Sequence, residues 1–221
     1  MHILCLGLSH HATPLDVRER LHYSPSALKA ALARFGCGHH CRPTDLLELA
    51  ILSTCNRLEL YAVAHTDRFE PLIDFVAETT GVPRHEFEPY LYRHLNARAV
   101  RHLNRVAAGL DSMILGEPQI LGQVSEAYEL GLGQRAVGPV LSALLRAAIH
   151  TGKRARTETA ISRNPASVSS VAAQLAENVV HDLRAARVVV LGAGEMAELA
   201  VEALRKRQAT HITVVNRTHD R

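Results

Sequence analysis

The 221-residue sequence has no tryptophan, four phenylalanines and five tyrosines. So few aromatics exclude a broad base-stacking platform of the single-strand-binding kind. Cysteine is scarce too. Cys5, Cys37, Cys41 and Cys55 do not make a disulfide framework in a chain this long, and a reducing cytoplasm is the expected compartment. No apolar run approaches the length that spans a bilayer, so no membrane association is expected. The apolar start, residues 1–8, is too short for a signal peptide and lacks a basic beginning. Internal repeats and low-complexity tracts are missing. A large charge of either sign is missing as well: the net value is +3, which does not announce a nucleic-acid binder but leaves room for clustered basic residues. With 14 histidines, the effective charge varies near neutral pH.

The hydrophobic fraction of 47% suits a globular protein able to bury a sizeable core. The densest chemistry lies at Ser53-Thr54-Cys55-Asn56-Arg57, between apolar runs at 46–52 and 58–64 that read as strands. Polar groups packed between two buried segments must bond each other or a ligand. Cys55 is the candidate nucleophile. Arg57 could lower its pKa or hold a substrate carboxylate, and a small buried cysteine at a strand end is the competing reading.

Along the chain, 1–8 reads as a first strand. Thr13 reads as an N-cap before Pro14, with a helix to about residue 21, and a second helix starts at Ser24. His10 and His11, beside that cap, read as structural. Cys37, His39, His40 and Cys41 have a metal-like composition. Four ligands within five residues cannot easily close a tetrahedron, so a surface loop and no metal are expected. A helix is predicted over 69–80, then a short extended segment at 90–92. From 97 the chain becomes helical, with His102 near the middle of a helix. Residues 109–120 thread Ser112, Glu117 and Gln119 through an apolar stretch with two glycines. Either a ligand approaches closely there or the chain bends. Helices are expected over 123–131 and 139–157. The basic end of the second, at 152–156, suits the helix dipole, and RNA phosphates are the competing partner.

Residues 159–165 read as a junction, and 167–180 as a helix. The pattern then changes. A β-branched run at 187–191 leads directly into Gly192-Ala193-Gly194-Glu195-Met196-Ala197 and a helix. A GxGxxA turn between strand and helix lets the backbone approach a pyrophosphate. After the next strand, 211–215, come Asn216, Arg217 and Thr218. Arg217 suits a 2′-phosphate, which favours NADP over NAD. The expected class is α/β: an α+β domain (1–158) with a mixed sheet and helices, then a partial Rossmann-like domain (159–221).

Together, residues 7–14, 53–61, 102–123, 152–162 and 188–197 resemble the glutamyl-tRNA reductases in the family's order. Ser53-Thr54-Cys55-Asn56-Arg57 combined with the stretch from Gly109 to Val124 is a specific signature. Ser9 and Ser125 depart from residues common in the family. The resemblance implies NADPH-dependent reduction of glutamyl-tRNA(Glu) to glutamate-1-semialdehyde through a Cys55 thioester, the first step of tetrapyrrole synthesis. It also implies catalytic roles for Cys55 and His102. Thr54, Arg57, Ser112, Glu117, Gln119 and Gln123 match substrate positions. Gly192, Ala193, Gly194, Glu195, Met196, Asn216, Arg217 and Thr218 match cofactor positions. It further implies a homodimer and product transfer to glutamate-1-semialdehyde aminomutase. Family members continue beyond the second strand of the nucleotide domain. A fragment that binds tRNA, or that only hydrolyses its ester, is therefore the alternative expectation.

Overall fold

The computed structural model describes residues 1–37, 45–162 and 168–217. Residues 39–41 of the expected loop and Thr218 lie outside them. The chain divides into two compact units, Met1–Ser162 and Arg163–Arg221.

The first unit is built on four strands, β1 (His2–Ser9), β2 (Leu46–Ser53), β3 (Arg57–Ala64) and β4 (Tyr92–Leu95), in the order β2-β3-β1-β4. Every pairing is antiparallel, which corrects the expected mixed sheet. The physical reason is topological. Strands β1 and β2 run the same way, joined by helices α1 (Leu15–Leu21) and α2 (Pro25–Gly36). But β3 inserts between them as the return arm of a hairpin, the split βαβ arrangement, so no parallel ladder forms.

Both sheet faces are covered, and this explains why the strands are almost wholly apolar. Leu4, Leu6 and Leu8 of β1, with Leu58 and Leu60 of β3, pack with α2 and α3 (Glu70–Thr80). Cys5, Tyr61 and Val63 point the other way and pack with α5 (Ala97–Ala107), α6 (Gln119–Gly133) and α7 (Pro139–Glu158). Period-two alternation therefore sends Arg57 and Glu59 to this second face with Tyr61. A short helix α4 (Arg84–Phe87) and a 3-10 turn (Glu88–Tyr90) lead into β4.

Local signals set most boundaries. The Ser24 hydroxyl accepts from the Ala27 amide at 3.3 Å and caps α2. Gly81, with φ of 72°, ends α3. Thr13 does not cap α1: Pro14 takes that position, and the buried Thr13 hydroxyl makes no hydrogen bond. Helix α7 is capped from a distance. The Glu48 carboxylate accepts from the amides of Gly138, Val140 and Leu141 at 3.1, 3.1 and 2.7 Å. An anion there satisfies orphan donors and complements the helix dipole.

The second unit holds α8 (Val168–Val180), β5 (Arg187–Leu191), α9 (Glu195–Lys206) and β6 (His211–Val215). β5 and β6 pair in parallel. Val189 and Leu191 are 60% and 81% exposed, so this two-stranded sheet has an open face.

Candidate active site

The turn between β2 and β3 is held by its own side chains and by the α1 segment. The Thr54 hydroxyl accepts from the amides of Asn56 (3.2 Å) and Arg57 (3.1 Å), and the Thr54 amide donates to the Arg57 carbonyl at 2.8 Å. Ser53 Oγ accepts from the Tyr23 amide at 3.2 Å. The His10 amide donates to the Asn56 carbonyl at 2.9 Å. Arg18 Nη1 donates to the Cys55 carbonyl at 2.8 Å and to Asn56 Oδ1 at 3.4 Å. Held in this way, Cys55 is exposed.

The cysteine is not activated in the manner expected from sequence. Partial burial pushes its thiol pKa up, and the Glu117 charge adds to the rise; Arg18 acts in the opposite direction. The cation acting on Cys55 is thus Arg18, from a helix 37 residues earlier. Burial also raises the Glu117 pKa, against the pull of Arg57. Glu117 thus favours the protonated form of the Cys55 thiol, while its own carboxyl is held toward the protonated form by burial.

Arg57 is only 3% exposed, below the turn. Its Nη1 donates to Glu59 Oε1 at 2.7 Å and Asp111 Oδ2 at 3.1 Å, and its Nη2 donates to the Asp111 carbonyl at 2.5 Å. A substrate carboxylate would have to compete with these two acids. Glu59 is fully buried and gathers four donors. Besides Arg57 they are Tyr61 Oη at 2.6 Å, Tyr92 Oη at 2.5 Å and His102 Nε2 at 2.8 Å. Burial alone would raise the Glu59 pKa, but Arg57 and His102 hold it well below the usual carboxylate range. The His94 ring lies tilted against the His102 ring, with centroids 4.7 Å apart.

The stretch from 109 to 118 closes on itself. The Gly116 amide donates to the Gly109 carbonyl at 2.9 Å. Both glycines have positive φ, 75° and 79°, and a Cβ on Gly109 would lie 3.0 Å from the Gly116 Cα. Gly109 needs the space beside the Gly116 backbone, whereas a Cβ on Gly116 would run into the Ile161 carbonyl, so the fold of the bend accounts for both glycines. Ser112 and Glu117 lie half-buried in this loop. Helix α6 begins four residues before the predicted start, so Gln119 and Gln123 are both helical and share one face. At the end of α7, Arg156 donates to the carbonyls of Ala107, Gly152 and Glu117 at 3.0, 3.0 and 2.9 Å. It ties α7 to α5 and to the loop.

In the second unit the glycine turn has the required form. Gly192 adopts φ of +106°, and its amide donates to the Val215 carbonyl at 2.7 Å. Gly194 is the N-cap of α9. A Cβ on either glycine would meet nothing within 4 Å. The turn is thus open to a bulky group approaching the first amides of a helix, which fits a dinucleotide phosphate. Ala193 is partly exposed, Met196 is exposed, and Arg217 is exposed beyond β6.

Comparison with known proteins gives the family. A family model described as glutamyl-tRNAGlu reductase, N-terminal domain, matches residues 6–159. The chain belongs to the glutamyl-tRNA reductase family. A second model, shikimate/quinate 5-dehydrogenase, matches residues 174–221. The glutamyl-tRNA reductase of Rubrobacter xylanophilus is 44% identical over 223 residues, covering 100% of this chain and 51% of that protein. That of Rippkaea orientalis is 43% identical over 224 residues, again with 100% and 51% covered. The structure of glutamyl-tRNA reductase from Methanopyrus kandleri matches with a TM-score of 0.63 and 33% identity, covering 99% of this chain and 50% of that one. The chain spans about half the length of the reductases it matches.

Against this family background, the structure brings Cys55, Arg57, Glu117 and His102 into one electrostatic network. Four members, Glu59, Arg18, Tyr92 and Asp111, are not evident from the sequence as site residues. Glu59 had a usable signal: a carboxylate at alternate spacing from Arg57 inside a strand with no polar face. Tyr92 and Asp111 had none, because their partners lie on other elements. Among the described residues no group of three or more metal-binding side chains converges, and no helix is long and apolar enough to cross a membrane.

Proposed function

We propose that this chain carries the thioester-forming chemistry of a glutamyl-tRNA reductase. The observation that carries the reading is an exposed Cys55 on a rigid strand-end turn, above a buried network that contains His102. The Cys55 sulfur attacks the carbonyl carbon of the ester joining glutamate to the tRNA. Its proton passes to the Glu117 carboxylate. A carbon–sulfur bond forms, and the bond to the terminal ribose oxygen breaks. His102, oriented by Glu59, supplies the proton that the departing ribose hydroxyl needs. The Thr54 hydroxyl proton, Ser112, Gln119 and Gln123 are the groups assigned to the glutamyl moiety. Arg57 would reach its carboxylate only by exchanging a partner.

The second unit is assigned to NADPH through Gly192, Ala193, Gly194 and the first amides of α9, with Asn216, Arg217 and Thr218 toward the 2′-phosphate. NADPH, when bound, supplies the hydride that turns the thioester into glutamate-1-semialdehyde and free Cys55. The assigned partners are charged tRNA(Glu), a second copy of the chain and an aminomutase that takes the semialdehyde. The assigned compartment is the cytoplasm. A second reading is that water rather than hydride resolves the thioester.

Product analysis tests both. The chain is incubated with glutamyl-tRNA labelled in glutamate, with and without NADPH, beside a Cys55→Ser variant. Semialdehyde that needs both NADPH and Cys55 supports the full reading. Free glutamate that needs Cys55 but not NADPH supports the second. Neither product refutes thioester chemistry in this chain.

A further inference from the structure

Helix α5 carries His102 and also an unusual outer surface. Arg98, Arg101 and Arg105 recur at i, i+3 and i+7, so they form one stripe. All three are exposed, while Ala99, Leu103 and Val106 face the core. Most other surface arginines of this unit are neutralised, although Arg135 and Arg146 are also exposed and, among the described residues, make no ion pair. Arg84 and Arg93 pair with Glu88, Arg154 with Glu158, Arg20 with Glu86, and Arg34 with Glu78. Among the described residues, no ion pair involves Arg98, Arg101 or Arg105. The sequence provides none locally, since residues 89–110 contain no aspartate or glutamate. Helix α7, which packs on α5, is similar: residues 130–157 hold no acid, and Arg146 and Lys153 are exposed.

Helix energetics explain only Arg105, which stands in the last turn where the dipole favours a cation. Like charges three to four residues apart destabilise a helix. Arg98 stands in the first turn, where the dipole disfavours a cation, and that turn has no acidic residue. A surface kept basic against these preferences suits a polyanion. Its dimensions suit phosphates: seven residues of helix span about 10 Å, roughly the length of three phosphates along one strand of a duplex. Its location suits a chain whose end reaches Cys55. From Cys55 to Glu59 is about 13 Å of extended backbone, and Glu59 touches His102, which adjoins Arg101.

We propose that Arg98, Arg101 and Arg105 form a phosphate-tracking stripe that seats the backbone of the tRNA whose 3′ end is presented to Cys55. This rests on the tRNA substrate assigned above. The test compares the 221-residue chain with a triple Arg→Gln variant and a triple Arg→Lys variant at positions 98, 101 and 105. Binding of tRNA(Glu) is titrated between 50 and 200 mM salt. Acylation of Cys55 by a small glutamyl thioester that carries no RNA is measured in parallel.

The glutamine variant should bind tRNA more weakly at low salt, with a log–log salt slope shallower by roughly 2–3. Wild-type affinity should accordingly fall about 40-fold more than the variant's over that salt range. The lysine variant should keep the steep slope, and all three proteins should react equally with the small thioester. An unchanged slope in the glutamine variant overturns the stripe while leaving the tRNA substrate intact. Equal loss of tRNA binding and small-thioester reactivity also overturns it, by showing a structural role. Failure of the wild-type chain to bind tRNA overturns the stripe and the assigned substrate together.

Discussion

His102 Nε2 lies 2.8 Å from Oε1 of Glu59, a carboxylate with no exposed surface. Arg57 and His102 hold Glu59 ionised, so it can only accept. The proton between the two therefore belongs to Nε2, and in the proposed reaction Nδ1 is the nitrogen assigned to proton exchange. Tyr61 and Tyr92 satisfy the remaining acceptor capacity of Glu59 and fix its orientation. His102→Asn should slow thioester formation about 10²-fold or more, with little change in urea midpoint. Glu59→Gln should slow it as well, and should also destabilise the fold by about 3–5 kcal/mol because Arg57 loses a buried partner. Rapid-quench kinetics and urea unfolding of the two variants check this. A Glu59→Gln protein of wild-type stability would refute the hub.

Cys55 should behave as a sluggish thiol in the resting chain. Burial and Glu117 raise its pKa above the ordinary 9.0, so iodoacetamide labelling should keep accelerating as pH rises past 9. Glu117→Gln removes the opposing charge and should speed labelling several-fold at pH 7.5. The same substitution should slow acylation by charged tRNA, because the proton acceptor is gone. Arg18→Gln should slow labelling. Mass spectrometry of Cys55 across the pH range reads all three, and faster acylation in the Glu117 variant would exclude Glu117 as the base.

The buried network also bounds the pH range of stability. The pKa of Glu59 is depressed on folding. Its contribution is therefore complete above the unfolded carboxylate value of about 4.3 and is lost as pH falls through the folded value. Tyrosines act at the other end. Burial raises Tyr61 and Tyr92, and takes Tyr23 to about 12. Their contribution is complete below the unfolded value of about 10 and falls as pH rises beyond it. Thermal unfolding from pH 2 to 12 should give a plateau with two falling flanks, and Glu59→Gln should flatten the acid flank.

Gly192 tests the nucleotide turn independently of the cysteine. At φ of +106° a side chain is strained, and the space around the turn is open. Gly192→Val should weaken NADPH binding at least tenfold, seen as lost enhancement of nicotinamide fluorescence. Cys55 labelling should be unchanged, since the cysteine belongs to the other compact unit.

Several features of this protein are determined within a few consecutive residues. The polar turn from Ser53 to Arg57 is bounded by apolar runs, and β2 and β3 form on either side of it. The Ser24 cap and the Gly81 stop need no distant partner either. Alternation and capping operate over one or two turns of chain, so such elements are legible in sequence. Tertiary structure alone decided the rest. Strand β3 entered between β1 and β2, and this made the sheet antiparallel. Arg57 turned into the protein to meet Glu59 and Asp111, leaving the cysteine to Arg18. Gly109 and Gly116 met each other. Glu48 capped a helix about 90 residues away. Most of these pairings join groups on different elements or across a long loop, and buried charges and orphan amides accept whichever partner the packing brings within about 3 Å.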